Sequence, residues 1–327
     1  MDSLSQIVLG AAVCGIVSRQ PLRRSLIYGA ALGTLPDLDV FVLGHLDPVE
    51  QFVRHRSFSH SLFVLSAIAL PLAWLLRRWD ASLRNMTARR WSLAVWLTLV
   101  THPLLDACTV YGTQIWWPLM PPPTAWSNVF IIDPLYTLPL LAACVIAWRS
   151  QRRAMPALAV GLVTAHAYLL FGLIAKQHVE RQVISTLQAR AASFDVVLAT
   201  PAPFTTLLWR VLVRTPDGHS EVWYSLLRGT SQPFELVPIG RDTALRASLP
   251  ALPALATLQW FSRGYLKAEV VNNRLRVADL RMGAEPDYFF AFEIAEHDGS
   301  GWHSMTPQRV EMQRPRLARL KQIVERL

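Results

Sequence analysis

Residues 91–109, WSLAVWLTLVTHPLLDACT, combine an apolar helical pattern with polar side chains whose burial in a bilayer costs free energy. A run of this length can cross the hydrocarbon core, and only a helix satisfies all of its backbone N–H and C=O groups there. His102 and Asp106 lie inside the run. Ionisable groups at such positions are costly to bury and usually belong to a functional site. The stretch therefore predicts a membrane helix that carries a polar centre.

Five further apolar stretches accompany this helix. Residues 57–76, 129–148 and 155–175 are clear, whereas 4–17 is short and 25–44 is interrupted by Pro36, Asp37 and Asp39. A cleaved signal peptide is the alternative for residues 4–17, but Asp2 makes its start acidic and no small-residue cleavage site follows. We predict a multi-span α-helical membrane domain of about six helices in residues 1–175.

The net charge of +9 is explained by membrane topology rather than by nucleic acid binding. Of the 13 Lys/Arg in residues 1–175, 11 fall in the loops 19–24, 77–90 and 149–153, which follow the first, third and fifth stretches. Short loops rich in Lys and Arg stay in the cytoplasm. We therefore expect a multi-pass membrane protein with an extracytoplasmic C-terminal domain, and no nucleic acid partner.

Residues 176–327 alternate in the manner of β-strands and predict a small, mainly β domain. Stretches 211–214 and 221–227 flank Pro216-Asp217-Gly218, a hairpin turn signal, and 268–271, 275–280 and 288–294 continue the pattern. A basic amphipathic helix is expected over residues 308–327. Both a helix on an anionic membrane surface and a solvated closing helix of the domain fit that pattern.

Six metal-type side chains fall in three groups, and the loop argument brings all of them to the outer side of the membrane. They are Asp37 and Asp39, His55 and His60, and His102 and Asp106. Imidazoles and carboxylates together are the ligand set of zinc, or of manganese or iron. Six ligands exceed the needs of one tetrahedral ion, which leaves room for a second ion or for outer partners. We predict a divalent metal site, most readily a zinc site.

Local spacing supports this convergence. His102 and Asp106 are four residues apart and share a helical face, and Pro103 between them predicts a kink. Pro36 predicts a break that lets Asp37 and Asp39 point the same way, although on a regular helix they would diverge. His55 and His60 cannot share a helical face, so His55 is assigned to the loop and His60 to the first turn.

Each group also has a plainer interpretation. A single intramembrane histidine is commonly a hydrogen-bonded packing residue, and an Asp-x-Asp after proline is commonly a cap or turn. The alternative for His55-Arg56 is a simple polar loop. Arg56 is a candidate for stabilising an anionic oxygen such as a phosphate. Asp133 is a candidate base or ligand, with capping of the helix that begins at Pro134 as the alternative.

These motifs resemble those of bacterial inner-membrane proteins described as metal-dependent hydrolases, the YdjM-like or LexA-binding inner membrane-associated hydrolases. The resemblance rests on MDSLSQ at 1–6, LGAA at 9–12, GTLPDLD at 33–39, HRSFSHS at 55–61 and THPLLD at 101–106. TQ at 113–114 and DPLY at 133–136 resemble a longer subfamily with a C-terminal soluble domain, as do TPAPF at 200–204 and LWR at 208–210. Many members carry histidine at the position of Gln6, so the resemblance implies at most an outer role there.

The resemblance implies metal-dependent hydrolysis. Because the metal-type residues are expected at the membrane interface, a lipid or a lipid-linked phosphoester is the expected substrate class and membrane lipids are the expected partners. The alternative is a non-catalytic membrane protein with a structural metal and a partner-binding outer domain. A metal transporter would need ligands along a path through the bilayer, and the isolated His166 and His178 do not supply one.

The loop charges generate a topology prediction. A reporter that works only outside the cytoplasm should be active when fused after Ala175 and inactive when fused within residues 77–90, because loops rich in arginine stay inside. Alkaline phosphatase activity in whole cells measures this, with a cytoplasmic fluorescent reporter at the same positions as the reciprocal control. An inactive fusion after Ala175 would place the histidine and aspartate groups on the inner side.

Overall fold

The computed structural model describes residues 1–216, 218–228, 236–239, 245 and 248–310. The chain divides into two compact units. The first contains residues Met1–Leu43 and His55–Leu173, and the second contains Gly44–Arg54 and Ile174–Leu327.

The first unit is helical. Its elements are α1 (Ser3–Ser18), α2 (Leu22–Thr34), a 3-10 turn (Leu35–Leu38), α3 (Asp39–Leu43), a second 3-10 turn (Phe58–His60), α5 (Leu62–Trp79), α6 (Ala88–Ala107), α7 (Pro134–Arg149) and the first part of α8 (Gln151–Ala189). The intervening helix α4 (Pro48–Arg54) belongs to the second unit.

Side-chain caps begin several of these helices. Asp2 accepts a hydrogen bond from the Ser5 backbone N–H at 3.1 Å, and Asp133 accepts one from the Leu135 N–H at 3.0 Å. Thr87 caps α6 in the same way. The first N–H groups of a helix lack intrahelical partners, so these residue types end the loops and fix where each helix starts.

Helices α1 and α2 pack backbone to backbone through three glycines. A Cβ atom placed on Gly10 would collide with the carbonyl oxygen of Gly29, and one on Gly33 would lie 2.6 Å from the carbonyl oxygen of Gln6. Gly29 and Gly33 form a small-xxx-small pair, which lets membrane helices approach closely. This contact brings Gln6 and the end of α2 together.

Three helical segments of the described residues are long and apolar enough to cross a membrane, namely Leu22–Leu43, Leu62–Trp79 and Gln151–Ala189. Ser3–Ser18 and Pro134–Arg149 are shorter apolar helices. The prediction of a helical membrane domain is confirmed at this level, and each of the six apolar stretches contains an α-helix. The number of helices that cross the membrane stays a prediction.

Two boundaries differ from the expected ones. Residues 129–133 of the fifth stretch are not helical, because the cap at Asp133 and the proline that follows it set the start of α7. The sixth stretch was expected to end at residue 175, but α8 continues to Ala189. The helix keeps burying Val179, Val183 and Leu187 at helical spacing in the core of the second unit.

The second unit contains two antiparallel four-stranded sheets and confirms the predicted β character. One sheet has the order β1-β2-β3-β4, from Val196–Pro201, Leu208–Thr215, Gly218–Ser225 and Val237–Ile239. The other has the order β10-β9-β6-β5, from Trp302–Arg309, Ala291–His297, Arg274–Asp279 and Leu266–Val271. The short strands β7 (Gly283–Ala284) and β8 (Asp287–Tyr288) pair, and α9 covers Pro253–Ser262.

The hairpin predicted around residues 216–218 is confirmed, since Thr215 pairs with Gly218. Its central Asp217 lies outside the described residues. Residues 308 and 309 of the expected C-terminal helix are instead the end of β10, where Gln308 pairs with Glu293 in β9. The prediction of a helix start at residue 308 is therefore wrong, because cross-strand pairing outweighs the amphipathic pattern there. Residues 311–327 lie outside the described residues.

Helix α4 is a part of the second unit that the chain contributes early. It follows the segment Leu22–Leu43 in the chain. The ring of Phe52 in α4 lies 4.7 Å from the ring of Phe261 and 4.4 Å from that of Phe290. Val49 and Val53 are also buried. Aromatic contacts of this kind add to the free energy gained by burial, so α4 is held by the second unit's own apolar residues.

The glycine contact gives a stability prediction. Gly10→Ala should lower the free energy of unfolding by about 3 kcal/mol or more, because the added methyl group meets the backbone of α2, which cannot rotate away. Thermal unfolding of the purified protein in detergent measures it. Gly301→Ala is the matched control, since no atom lies within 4 Å of a Cβ at that position. Equal melting temperatures for the two variants would contradict the close packing of α1 on α2.

Candidate metal centre

Four side chains of the first unit converge on one point. Ligand-type atoms of Asp37, His60, His102 and Asp106 all lie within 4.8 Å of one another. The Nε2 atoms of His60 and His102 are 3.1 Å apart, and each is 3.4 Å from Asp37 Oδ1. Asp106 Oδ2 is 3.1 Å from His60 Nε2 and 3.4 Å from His102 Nε2.

Breaks in the helices supply two of these side chains, and a continuous helix supplies the other two. Asp37 lies in the 3-10 turn that follows α2, and His60 ends the 3-10 turn before α5. His102 and Asp106 lie one turn apart on α6, which runs through Pro103 as a helix. The break expected at Pro36 is present as the 3-10 turn Leu35–Leu38. His60 lies in the 3-10 turn just before α5, not in the first turn of that helix.

Hydrogen bonds fix the orientation of both imidazole rings. His102 Nδ1 is 2.6 Å from the carbonyl oxygen of Gly33, which can only accept, so Nδ1 carries the proton. Ser59 Oγ donates to Asp39 at 2.6 Å and therefore accepts from His60 Nδ1 at 2.9 Å. In neutral rings with this arrangement, both Nε2 atoms present lone pairs to the same point.

Two lone pairs at 3.1 Å repel each other unless a cation lies between them. The cation is either a proton on one ring or a metal ion. Five ligand-to-ligand distances of 3.1–3.4 Å match the edge of a tetrahedron with bonds of about 2.0 Å, which is about 3.3 Å. Asp106 Oδ2 makes no hydrogen bond within the described residues. The four residues can therefore hold a divalent metal ion.

The other oxygen of Asp106 is surrounded by donors. Gln6 Nε2 donates to Asp106 Oδ1 at 3.1 Å and to the carbonyl oxygen of His102 at 3.2 Å. Arg56 Nη2 lies 3.3 Å from the same carboxylate oxygen, and the amino group of Met1 also contacts it. These contacts hold Oδ1, so that Oδ2 stays directed at the two histidines.

Arg56 is a buried cation beside the four ligands. Its Nη1 donates to Thr109 Oγ1 at 3.2 Å, and its guanidinium lies 4.8 Å from the ring centre of Tyr111. Its Nε has no hydrogen-bond partner among the described residues. Arg56 also has a positive φ of 65°, a costly backbone conformation for a residue with a side chain. A fixed positive charge therefore lies next to the carboxylate of Asp106.

Asp39 and His55 lie next to the four ligands and pair with each other. His55 Nδ1 is 2.9 Å from Asp39 Oδ1. Asp39 Oδ2 accepts from Ser59 Oγ, and the backbone N–H of Arg56 donates to it at 3.3 Å. Asp39 thus reaches the cluster through Ser59 and His60, whereas Asp37 faces it directly. The two carboxylates point to neighbouring but different partners.

Asp133 makes its contacts elsewhere in the first unit. Its Oδ1 caps α7, and its Oδ2 accepts a hydrogen bond from the Tyr168 hydroxyl at 2.9 Å. Asp133 is buried with no exposed surface. Among the described residues, these contacts tie it to α7 and α8 and none links it to the four ligands.

Several outer partners carry no sequence signal that pointed to them. Ser59 and Gly33 orient the histidines, and Thr109 and Tyr111 hold Arg56. Only the position of Ser59, directly before His60 in HRSFSHS, could have suggested a contact with that histidine. The role of Gly33 depends on its carbonyl, which every residue has, so no residue type could have indicated it.

Solvent or a ligand reaches the centre on the side of Asp37. The side chains of His60, His102 and Asp106 have no exposed surface, whereas that of Asp37 is 22% exposed. Asp39 and His55 are also partly exposed. The centre therefore opens towards the segment that carries both aspartates.

Comparisons with known proteins agree with the motif resemblance. The family model described as YdjM inner membrane protein matches residues 1–179, which include all the residues of the centre. The uncharacterized protein YfhP of Bacillus subtilis strain 168 is 24% identical over 262 residues, which covers 76% of each chain. No solved structure gives a significant match.

Metal analysis tests the ligand set. The wild type should bind about one divalent ion per chain, and His102→Ala or Asp106→Asn should abolish it, because each removes a direct ligand. Asp39→Asn and His55→Ala should still bind metal, with affinity lowered roughly 10- to 100-fold, as for outer partners. Mass spectrometry of the metal content and titration with a competing chelator measure both effects.

His166→Ala is the matched control for these variants. His166 is an exposed helical histidine whose Nδ1 bonds the Leu162 carbonyl oxygen, so its loss should leave the metal content unchanged. Full metal occupancy in His102→Ala would instead mean that the ion binds elsewhere in the chain and that a proton lies between the two rings of the wild type.

Proposed function

We propose that this chain, which belongs to the YdjM inner membrane protein family, is a membrane-bound metal-dependent hydrolase. The observation that carries the proposal is the pair of His60 and His102 Nε2 atoms, 3.1 Å apart and bordered by Asp37 and Asp106. Two imidazoles with two carboxylates suit zinc, and also manganese or iron. Such an ion supplies Lewis-acid polarisation of the scissile group and activates water at neutral pH.

The residues of the chain divide the remaining tasks. Gly33 and Ser59 keep the two imidazole rings in one tautomer and orientation, so the ligands are set before metal or substrate arrives. Gln6 and Arg56 hold the second oxygen of Asp106. The partly exposed Asp37 borders the approach, where a substrate and a water molecule can enter.

Arg56 supplies positive charge for an anionic substrate. With two carboxylates against a divalent ion, the four ligands and the ion are neutral together, and the guanidinium adds one fixed positive charge beside them. Preorganised charge of this kind stabilises the negative charge that develops on a phosphoryl oxygen. The stacking on Tyr111 and the bond to Thr109 keep the guanidinium in place, so little reorganisation is needed.

A lipid-like substrate is proposed because exposed apolar side chains lie close in the chain to Asp39 and His60. Phe41, close to Asp39 in the chain, is 82% exposed. Phe58, two residues before His60, is 56% exposed and packs edge-on against Trp117 at 5.5 Å. Leu119, two residues after Trp117, is exposed as well. The loop that carries Trp117 and Leu119 is joined to the start of α5, because Ser61 Oγ donates a hydrogen bond to the Trp117 carbonyl oxygen. Acyl or prenyl chains can pack against exposed apolar side chains of this kind.

The proposed place of action is the outer face of the inner membrane, with the second unit outside the cytoplasm. The arginine distribution of the loops supports this orientation. Asp133 has no part in the proposed mechanism, since its contacts run to α7 and Tyr168.

Arg56→Ala separates catalysis from metal binding. Turnover should fall roughly 100- to 1,000-fold, as when a preorganised charge is lost, while metal content is kept because Arg56 is not a ligand. Arg56→Lys should restore part of the activity. The assay is phosphate release from a panel of lipid phosphoesters in mixed micelles, including phosphatidic acid and a polyprenyl diphosphate.

Arg54→Ala is the charge-matched control. Arg54 is 56% exposed and pairs with Glu50 at 3.1 Å within α4, so its loss should not alter turnover. Metal bound by the wild type without turnover of any substrate would favour a structural metal site in a partner-binding membrane protein. The near-complete burial of His60, His102 and Asp106 is the structural observation that agrees with such a structural metal site.

A further inference from the structure

An apolar groove runs between α2 and α7, and its cationic end lies near the start of α2, away from the metal centre. It has a cavity volume of about 390 Å³, within the range of ligand sites. Its lining is Leu26, Ile27 and Ala30 from α2, and Cys144, Val145, Trp148 and Arg149 from α7. Ile27 is 56% exposed, so the groove opens to the surface of the helical unit. In a membrane such a surface meets hydrocarbon chains.

The end of this groove is cationic. Arg149 belongs to the lining itself, and Arg23 lies across Trp148, with its guanidinium 5.4 Å from the ring centre. Arg23 Nε also donates to the Trp148 carbonyl oxygen at 3.2 Å, which fixes it beside the groove. Tryptophan and arginine side chains at such positions mark the level of the lipid head groups.

The surrounding sequence adds positive charge without compensation from its own carboxylates. Residues 19–30 and 144–155 contain six arginines and no aspartate or glutamate. Asp80, from the loop after α5, pairs with Arg24 at 2.5 Å. The charge at the groove end is therefore strongly positive, and it lies directly beside an apolar channel.

We propose that this groove binds an anionic phospholipid, with one acyl chain between α2 and α7 and the phosphate at Arg23 and Arg149. Basic pockets between membrane helices recognise acidic head groups in this way. A zwitterionic lipid offers the same chains, but its own cation cancels the charge that the arginines attract. The proposed phosphate position is separate from the metal centre, because Arg23 and the end of α2 are about 16 Å apart along the helix axis.

Native mass spectrometry of the full chain in detergent tests this lipid site. Phosphatidylglycerol should bind about 25-fold more tightly than phosphatidylcholine with the same acyl chains, at about fivefold for each arginine. The double variant Arg23→Gln with Arg149→Gln should remove that preference. The control double variant, Arg78→Gln with Arg89→Gln, removes two exposed arginines near the ends of α5 and α6 and should keep the preference.

A second pair of variants tests the apolar part of the groove. Ala30→Phe fills the groove and should reduce the binding of both lipids at least tenfold. Ile27→Ser removes apolar surface from the groove without adding bulk, and it should reduce the binding of both lipids by a smaller factor. Inorganic phosphate should compete weakly, because it lacks the acyl chain. Equal binding of the two lipids by the wild type, or an unchanged preference in the arginine variant, would overturn the proposal. Complete displacement by phosphate would reduce the site to a simple anion site.

Discussion

The buried carboxylate of Asp106 sets the conditions for the whole helical unit. A carboxylate without exposed surface needs partners, because removing its charge from water is costly unless cations or donors replace the lost hydration. Two separate segments provide them: α1 through Gln6, and the stretch between α4 and α5 through Arg56 and His60. The segments that carry these residues can pack only in arrangements that keep the partners of Asp106 in place. The polar centre therefore constrains the helix packing, and the packing in turn positions the polar centre.

The glycine contact between α1 and α2 is the packing counterpart of this electrostatic constraint. Gly33 lies against the backbone of Gln6, and its carbonyl oxygen accepts the hydrogen bond that orients His102. The same close approach thus positions Gln6 for Asp106 and Gly33 for His102. A change at the helix contact would therefore alter the geometry of both His102 and Asp106, since rigid backbones transmit small displacements well.

Much of this arrangement follows from the sequence, where residue type and spacing carry direct physical meaning. The spacing of His102 and Asp106 predicts a common helical face, and Pro36 predicts the break that frees Asp37. The sequence does not distinguish Asp37, which faces the cluster, from Asp39, which pairs with His55, because the difference depends on the 3-10 turn and on Ser59. The end of β10 was likewise mistaken for a helix, since a partner strand distant in the chain decides it.

Helix α4 imposes an order of events on the growing chain. Its Phe52 contacts Phe261, Phe290 and Phe292, each more than two hundred residues further along. At about 5–20 residues per second, on the order of ten seconds or more separates the synthesis of α4 from that of its partners. During that interval the apolar side of α4, with Val49 and Val53, has none of these aromatic rings to pack against. The second unit is thus completed by a helix that is made long before the strands that receive it.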